Sequence, residues 1–127
     1  MIRHQVRVLP PKKENILISS LFVNKERHKD FGLYKKYVKI QKQDYIAIGL
    51  QITNLDNYHS LAIDYPNLYA KVDLLGEDGK IFKKDFKILE NNGFIIEPSK
   101  INLEKISLKI NLIKNEQIID VSIIDIV

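Results

Sequence analysis

The strongest constraint on this chain is strict alternation of aliphatic with small or polar residues. Between Tyr45 and Thr53, Ile46, Ile48, Leu50 and Ile52 occupy every second position, so an extended backbone places all four on one face. Residues 105–112 repeat the arrangement, with Ile106, Leu108, Ile110 and Leu112 inward and Ser107, Lys109 and Asn111 outward. That is the pattern of an antiparallel sheet with one wet face. Residues 68–74, Leu-Tyr-Ala-Lys-Val-Asp-Leu, supply a third case.

Turn chemistry joins these runs, because Gly and Asn tolerate the positive φ of tight hairpins. Gly76-Glu77-Asp78-Gly79 links residues 68–75 to 80–89, and Asn91-Asn92-Gly93 links 80–89 to 94–97. Lys114-Asn115-Glu116-Gln117 links 103–113 to 118–126. Upstream, residues 15–23 and 36–43 read as strands, Asn54-Leu55-Asp56-Asn57 as a loop, and residues 24–34 as the one stretch where a helical turn fits. In the last strand, Ile119, Val121 and Ile123 share one face and Ile118, Ile124 and Ile126 the other. Such a strand is expected at the centre of a sheet or in an interface.

No 3.6-residue periodicity is sustained, and strands recur at short, even spacing. The fold class is therefore all-β, an antiparallel immunoglobulin-like sandwich of seven to eight strands. A five-stranded oligonucleotide-binding barrel is the alternative, and its strand count is too low. The chain has 127 residues, the length of one domain, with residues 1–14 as an N-terminal arm carrying Pro10-Pro11 and residues 15–127 as a single sandwich domain.

Within residues 45–112 the sequence resembles the immunoglobulin-like accessory domains of bacterial lipoproteins and surface proteins. The matching pieces are Ile48-Gly49-Leu50-Gln51-Ile52-Thr53-Asn54, Lys71-Val72-Asp73-Leu74-Leu75, Asp78-Gly79-Lys80-Ile81-Phe82, and Glu97-Pro98-Ser99-Lys100 ahead of residues 106–112. The resemblance implies a β-sandwich serving as a binding or spacer module, with no catalytic residues to carry over.

The residues exclude much chemistry. With no Cys, disulfides, thiolate metal sites and a cysteine nucleophile are ruled out. His4, His28 and His59 show no metal-ligand spacing, and His59-Ser60 sits in an extended segment where neighbours face opposite sides. Asp56, Asp64, Asp73, Glu77 and Asp78 concentrate carboxylates mid-chain but lack the spacing of a calcium loop. Gly76-x-x-Gly79 lies in a hairpin and has no following helix to hold phosphate. The sequence therefore predicts no catalytic residues, no cofactor and no metal.

Charge is unevenly placed: residues 1–44 hold eleven Lys and Arg against four acids, in a chain of net charge +4. Lys25, Arg27, Lys29, Lys35, Lys36, Lys39 and Lys42, interleaved with Phe22, Phe31, Tyr34, Tyr37 and Tyr45, are the candidate polyanion-binding residues. Aromatics stack on bases while cations follow the backbone of a single strand. Aromatics that fill a core and lysines that protect edge strands give the structural alternative. The expected partner is another protein, bound at a sheet edge or at residues 24–37 and 54–67; nucleic acid and a second copy paired through an edge strand are the alternatives. Met1 to Pro11 shows no signal peptide, which places a complete chain inside a cell and one stripped of leader and anchor on a cell surface.

Overall fold

Each long alternating run becomes a strand whose aliphatic face packs on a second sheet. The structure, a computed structural model, describes residues 15–127; the N-terminal arm lies outside the described residues. One sheet contains β1 (Ile16–Val23), β2 (Glu26–Arg27), β4 (Ile46–Asn54), β5 (His59–Leu61) and β8 (Gly93–Ile96). The other runs in the order β3 (Tyr37–Ile40), β10 (Gln117–Ile126), β9 (Ile106–Lys114), β6 (Leu68–Leu75), β7 (Ile81–Ile88). A 3₁₀ turn, Pro98–Lys100, follows β8.

The strand order β1-β4-β8 against β10-β9-β6-β7 is that of an immunoglobulin-like sandwich, A-B-E facing G-F-C-C′. Two stacked sheets form rather than a five-stranded barrel. Ile18, Leu21, Ile46 and Ile52 on one sheet and Ile106, Leu108, Ile110, Leu112, Ile124 and Ile126 on the other are fully buried. Each such side chain contributes roughly 1.5–3 kcal/mol relative to exposure.

Three details differ from the sequence reading. Residues 24–34 form no helix: Asn24 and Lys25 both have positive φ, 50° and 70°, and form a two-residue hairpin turn that adds β2, while residues 28–31 close one turn through the Phe31 N–H and the His28 carbonyl at 3.3 Å. With β5, this raises the strands to ten among the described residues. Second, β3 pairs parallel with β10, Val38 beside Ile124, because the chain crosses from β1's sheet to the free edge of β10. Third, a bulge between Ile118 and Asp120 pairs Ile118 with Ile113 and Asp120 with Leu112. Ile118 thus leaves the face of Ile124 and Ile126, and Asp120 turns inward.

Asp120 closes the crossing. Its carboxylate accepts the Ile18 N–H at 2.8 Å and pairs with Lys36 Nζ at 2.7 Å, while Lys36 also donates to the Ile18 carbonyl. One ion pair therefore satisfies backbone groups on the outer edge of β1 and ties the two sheets together. On the opposite edge of β4, β5 and β8 lie end to end. Asn92 fills the gap between them. Its carbonyl accepts the Leu50 N–H at 2.7 Å, its Oδ1 accepts the Ile63 N–H at 2.5 Å, and its Nδ2 donates to the Leu61 carbonyl at 3.1 Å.

Candidate interaction surface

The seven cations of the N-terminal third do not gather on one surface. Lys25 and Arg27 are exposed on the β1–β2 hairpin. Arg27 and Lys29 line a shallow depression of about 580 Å³, but Glu26 and Asp30 line it too, so its charge is largely balanced. Lys35 and Lys42 are exposed in connections on either side of β3. Lys39 lies in register with Asp125 on β10. Lys36 turns into the fold, toward Asp120 and 4.9 Å from the centre of the Phe31 ring. Burial lowers the Lys36 pKa from the usual lysine value, and the Asp120 hydrogen bond and charge pull it partly back.

The interleaved aromatics divide in the same way. Phe31 is core, 3% exposed, and Tyr37 donates to Asp125 at 2.5 Å. Asp125 also accepts from Ser107 at 2.5 Å. Burial pushes the Asp125 pKa up, but these two hydroxyls and the charges of Lys105 and Lys39 together bring it below the usual carboxylate value. Tyr34 alone of the set stands almost wholly in solvent. His59 and Ser60 pair with Asn54 and Thr53, neighbouring positions that face opposite sides, and no group of three potential metal ligands occurs among the described residues. No helix among them is long and apolar enough to cross a membrane.

A different surface, which the charge count did not single out, forms where β7 and β8 end their sheets. Its geometry begins with Asp73, buried on β6. Asp73 accepts the Asp85 N–H at 2.8 Å and the Asn111 side-chain amide at 3.0 Å. To make the first bond, β7 bulges. Lys83 opposes Leu74 and Lys87 opposes Val72, so three residues of β7 face the one residue Asp73, and Asp85 adopts φ 54°. Bulges re-aim side chains. Since Val72 and Leu74 point into the core, Lys83 and Lys87 lie on that same face, flanking the Phe86 ring at 5.8 and 5.9 Å.

Opposite them, Ile95, Glu97 and Lys100 complete an open cleft of about 280 Å³. Lys100 pairs with Glu97 at 2.9 Å. The Lys100 and Tyr45 hydrogen bonds, helped by the charge of Lys87, hold the Glu97 carboxyl below its usual value. Ile95 lines this cleft and is 53% exposed; Ile88, 66% exposed, shares a neighbouring depression with Ile95, and Ile81 and Phe82 are exposed at the start of β7. Among the described residues no strand pairs with the outer edges of β7 and β8. The sequence carried one signal for this. Residues 81–88, Ile-Phe-Lys-Lys-Asp-Phe-Lys-Ile, carry three lysines and an aspartate at their centre and show no aliphatic alternation, as expected of an exposed edge strand.

No protein-family model matches the chain, and no curated protein does. A solved structure similar to it is the extracellular domain of a hybrid two component system from B. thetaiotaomicron, with a TM-score of 0.42 and 16% sequence identity. That similarity covers 90% of this chain, which spans 15% of the other.

Proposed function

We propose that the chain is a non-catalytic interaction module of a bacterial, phage or mobile-element protein, akin to the immunoglobulin-like accessory domains of surface proteins. It binds another protein through the open side of the sandwich at β7 and β8. The observation that carries this reading is the pair of sheet edges left free at β7 and β8 among the described residues, with Ile88 and Ile95 more than half exposed in one depression between them. Apolar side chains exposed side by side mark an interaction site, and free edges accept partner chains.

The test is photo-crosslinking in the cell that encodes the protein, with the reactive residue placed at Phe82, Ile88 or Tyr58. Crosslinks to one discrete protein from the first two positions and none from Tyr58 support the reading. Crosslinks concentrated at Tyr58 refute the assignment of the surface.

A second reading is non-specific nucleic-acid binding through Lys25, Arg27, Lys29, Lys35 and Lys42, which are all exposed. It requires single- and double-stranded DNA or RNA to bind at low salt and to lose affinity steeply as salt rises, through counterion release. Absence of binding at low salt removes it.

A further inference from the structure

We infer that the partner enters the β7–β8 cleft as an extended acidic segment carrying an apolar residue, with Lys83 and Lys87 receiving its carboxylates and Ile95 its apolar side chain. This rests on the interaction reading above and names the chemistry of the partner. The charge balance carries it. Three lysines meet one carboxylate, Glu97, and that carboxylate is already paired with Lys100. Lys83 and Lys87 have no carboxylate within ion-pair distance among the described residues, and both ammonium groups stand over the shared Phe86 ring.

Shape favours the same class of ligand. At about 280 Å³ the cleft sits at the bottom of the roughly 300–1,000 Å³ range of small-molecule pockets, and it is open to solvent. It holds one or two side chains of a longer segment. The fold provides the track for that segment: in immunoglobulin constant-type sandwiches a fourth strand follows the strand equivalent to β8, and here that edge is free among the described residues. β7 offers no straight edge of its own, because the Asp85 bulge interrupts it.

A nucleic-acid strand fits less well. Phe86 is partly buried against the core and flanked by two ammonium groups rather than presenting an open face for stacking. Glu97 repels phosphate. No arginine lies between Ile81 and Ile101 to bind phosphate oxygens in pairs.

The experiment titrates the isotope-labelled protein with a peptide of alternating glutamate and leucine, reading backbone amide shifts. Peptides of alternating serine and leucine and of alternating lysine and leucine, and a single-stranded oligothymidine, are titrated in parallel. The expected result is that the glutamate peptide alone shifts Lys83, Phe86, Lys87 and Ile95, and that its affinity falls about tenfold or more in Lys83→Glu/Lys87→Glu. Both lysines are exposed, so this variant keeps its fold. In the same buffer at about 150 mM salt, where the Debye length is about 8 Å, Lys25→Glu/Lys29→Glu, which alters net charge equally, must leave the affinity within about twofold. Equal binding of the serine peptide overturns the acidic preference while leaving the interaction surface standing. Tighter oligothymidine binding at the same amides overturns the inference in favour of nucleic acid. No shift with the glutamate peptide overturns it as well, and crosslinking at Phe82 then decides separately whether β7 still meets a protein.

Discussion

Removing the Asp120 carboxylate should unfasten the two sheets. In Asp120→Ala, Lys36 keeps a side chain only 22% exposed but loses its counter-charge, and the Ile18 N–H loses its acceptor. Breaking a fully buried pair by deleting one partner costs roughly 3–5 kcal/mol. Partial exposure of both side chains reduces that to about 2 kcal/mol here, and the orphaned Ile18 N–H adds about 1 kcal/mol. The sum, about 3 kcal/mol, corresponds to a fall in Tm of ~12 °C for a chain of this size. Asp120→Asn keeps an acceptor for Ile18 and should lose about 2 kcal/mol. Urea denaturation of the single variants and of Lys36→Met/Asp120→Leu provides the assay. The double variant should lose much less than the sum of Lys36→Met and Asp120→Leu, because paired apolar replacement removes both desolvation costs. Additive losses, or a loss under about 1 kcal/mol for Asp120→Ala, would refute the reasoning.

Two other sites give sharp expectations. A Cβ at Gly93 would lie 2.6 Å from the Ile48 carbonyl oxygen, so Gly93→Ala should cost about 1–3 kcal/mol and speed amide exchange in β8 more than in β9; uniform exchange rates would contradict the close approach of β8 to β4. Asp125 has a pKa below the ordinary value, so its stabilisation is complete above the unfolded carboxylate pKa and is lost as pH falls through the folded one. Asp125→Asn should accordingly flatten the acid limb of a stability–pH curve, and an acid limb parallel to the wild type would show that the Tyr37 and Ser107 hydrogen bonds do not favour the ionised form.

The long strands were legible because alternation and burial obey the same period. Ile46, Ile48, Leu50 and Ile52 are all buried, as are Ile106, Leu108, Ile110 and Leu112. The Asn91-Asn92 turn was legible for a local reason, since both residues take positive φ. Hairpin β1–β2 was not, because Lys25 occupies a turn position usually given to glycine. Nor was the phase of the last strand legible beyond the bulge at Ile119, which moves Ile118 to the outer face. The strand does lie inside its sheet, between β3 and β9, which suits its two apolar faces.

The candidate surface was less legible for a physical reason. Charge density along the chain counts Lys36 with its neighbours, but Asp120 withdraws it across a long loop of chain. The β7 bulge depends on Asp73 and Asn111, which come from two other strands. Local patterning registers residues 81–88 as exposed; only the tertiary pairing aims Lys83 and Lys87 at one cleft.

The most direct test is amide hydrogen exchange of the protein alone and in its native complex. The account predicts new protection at residues 81–88 and 93–101, with residues 24–37 and 54–67 unchanged. Protection confined to either of those loops, with β7 and β8 exchanging as in the free protein, would contradict it.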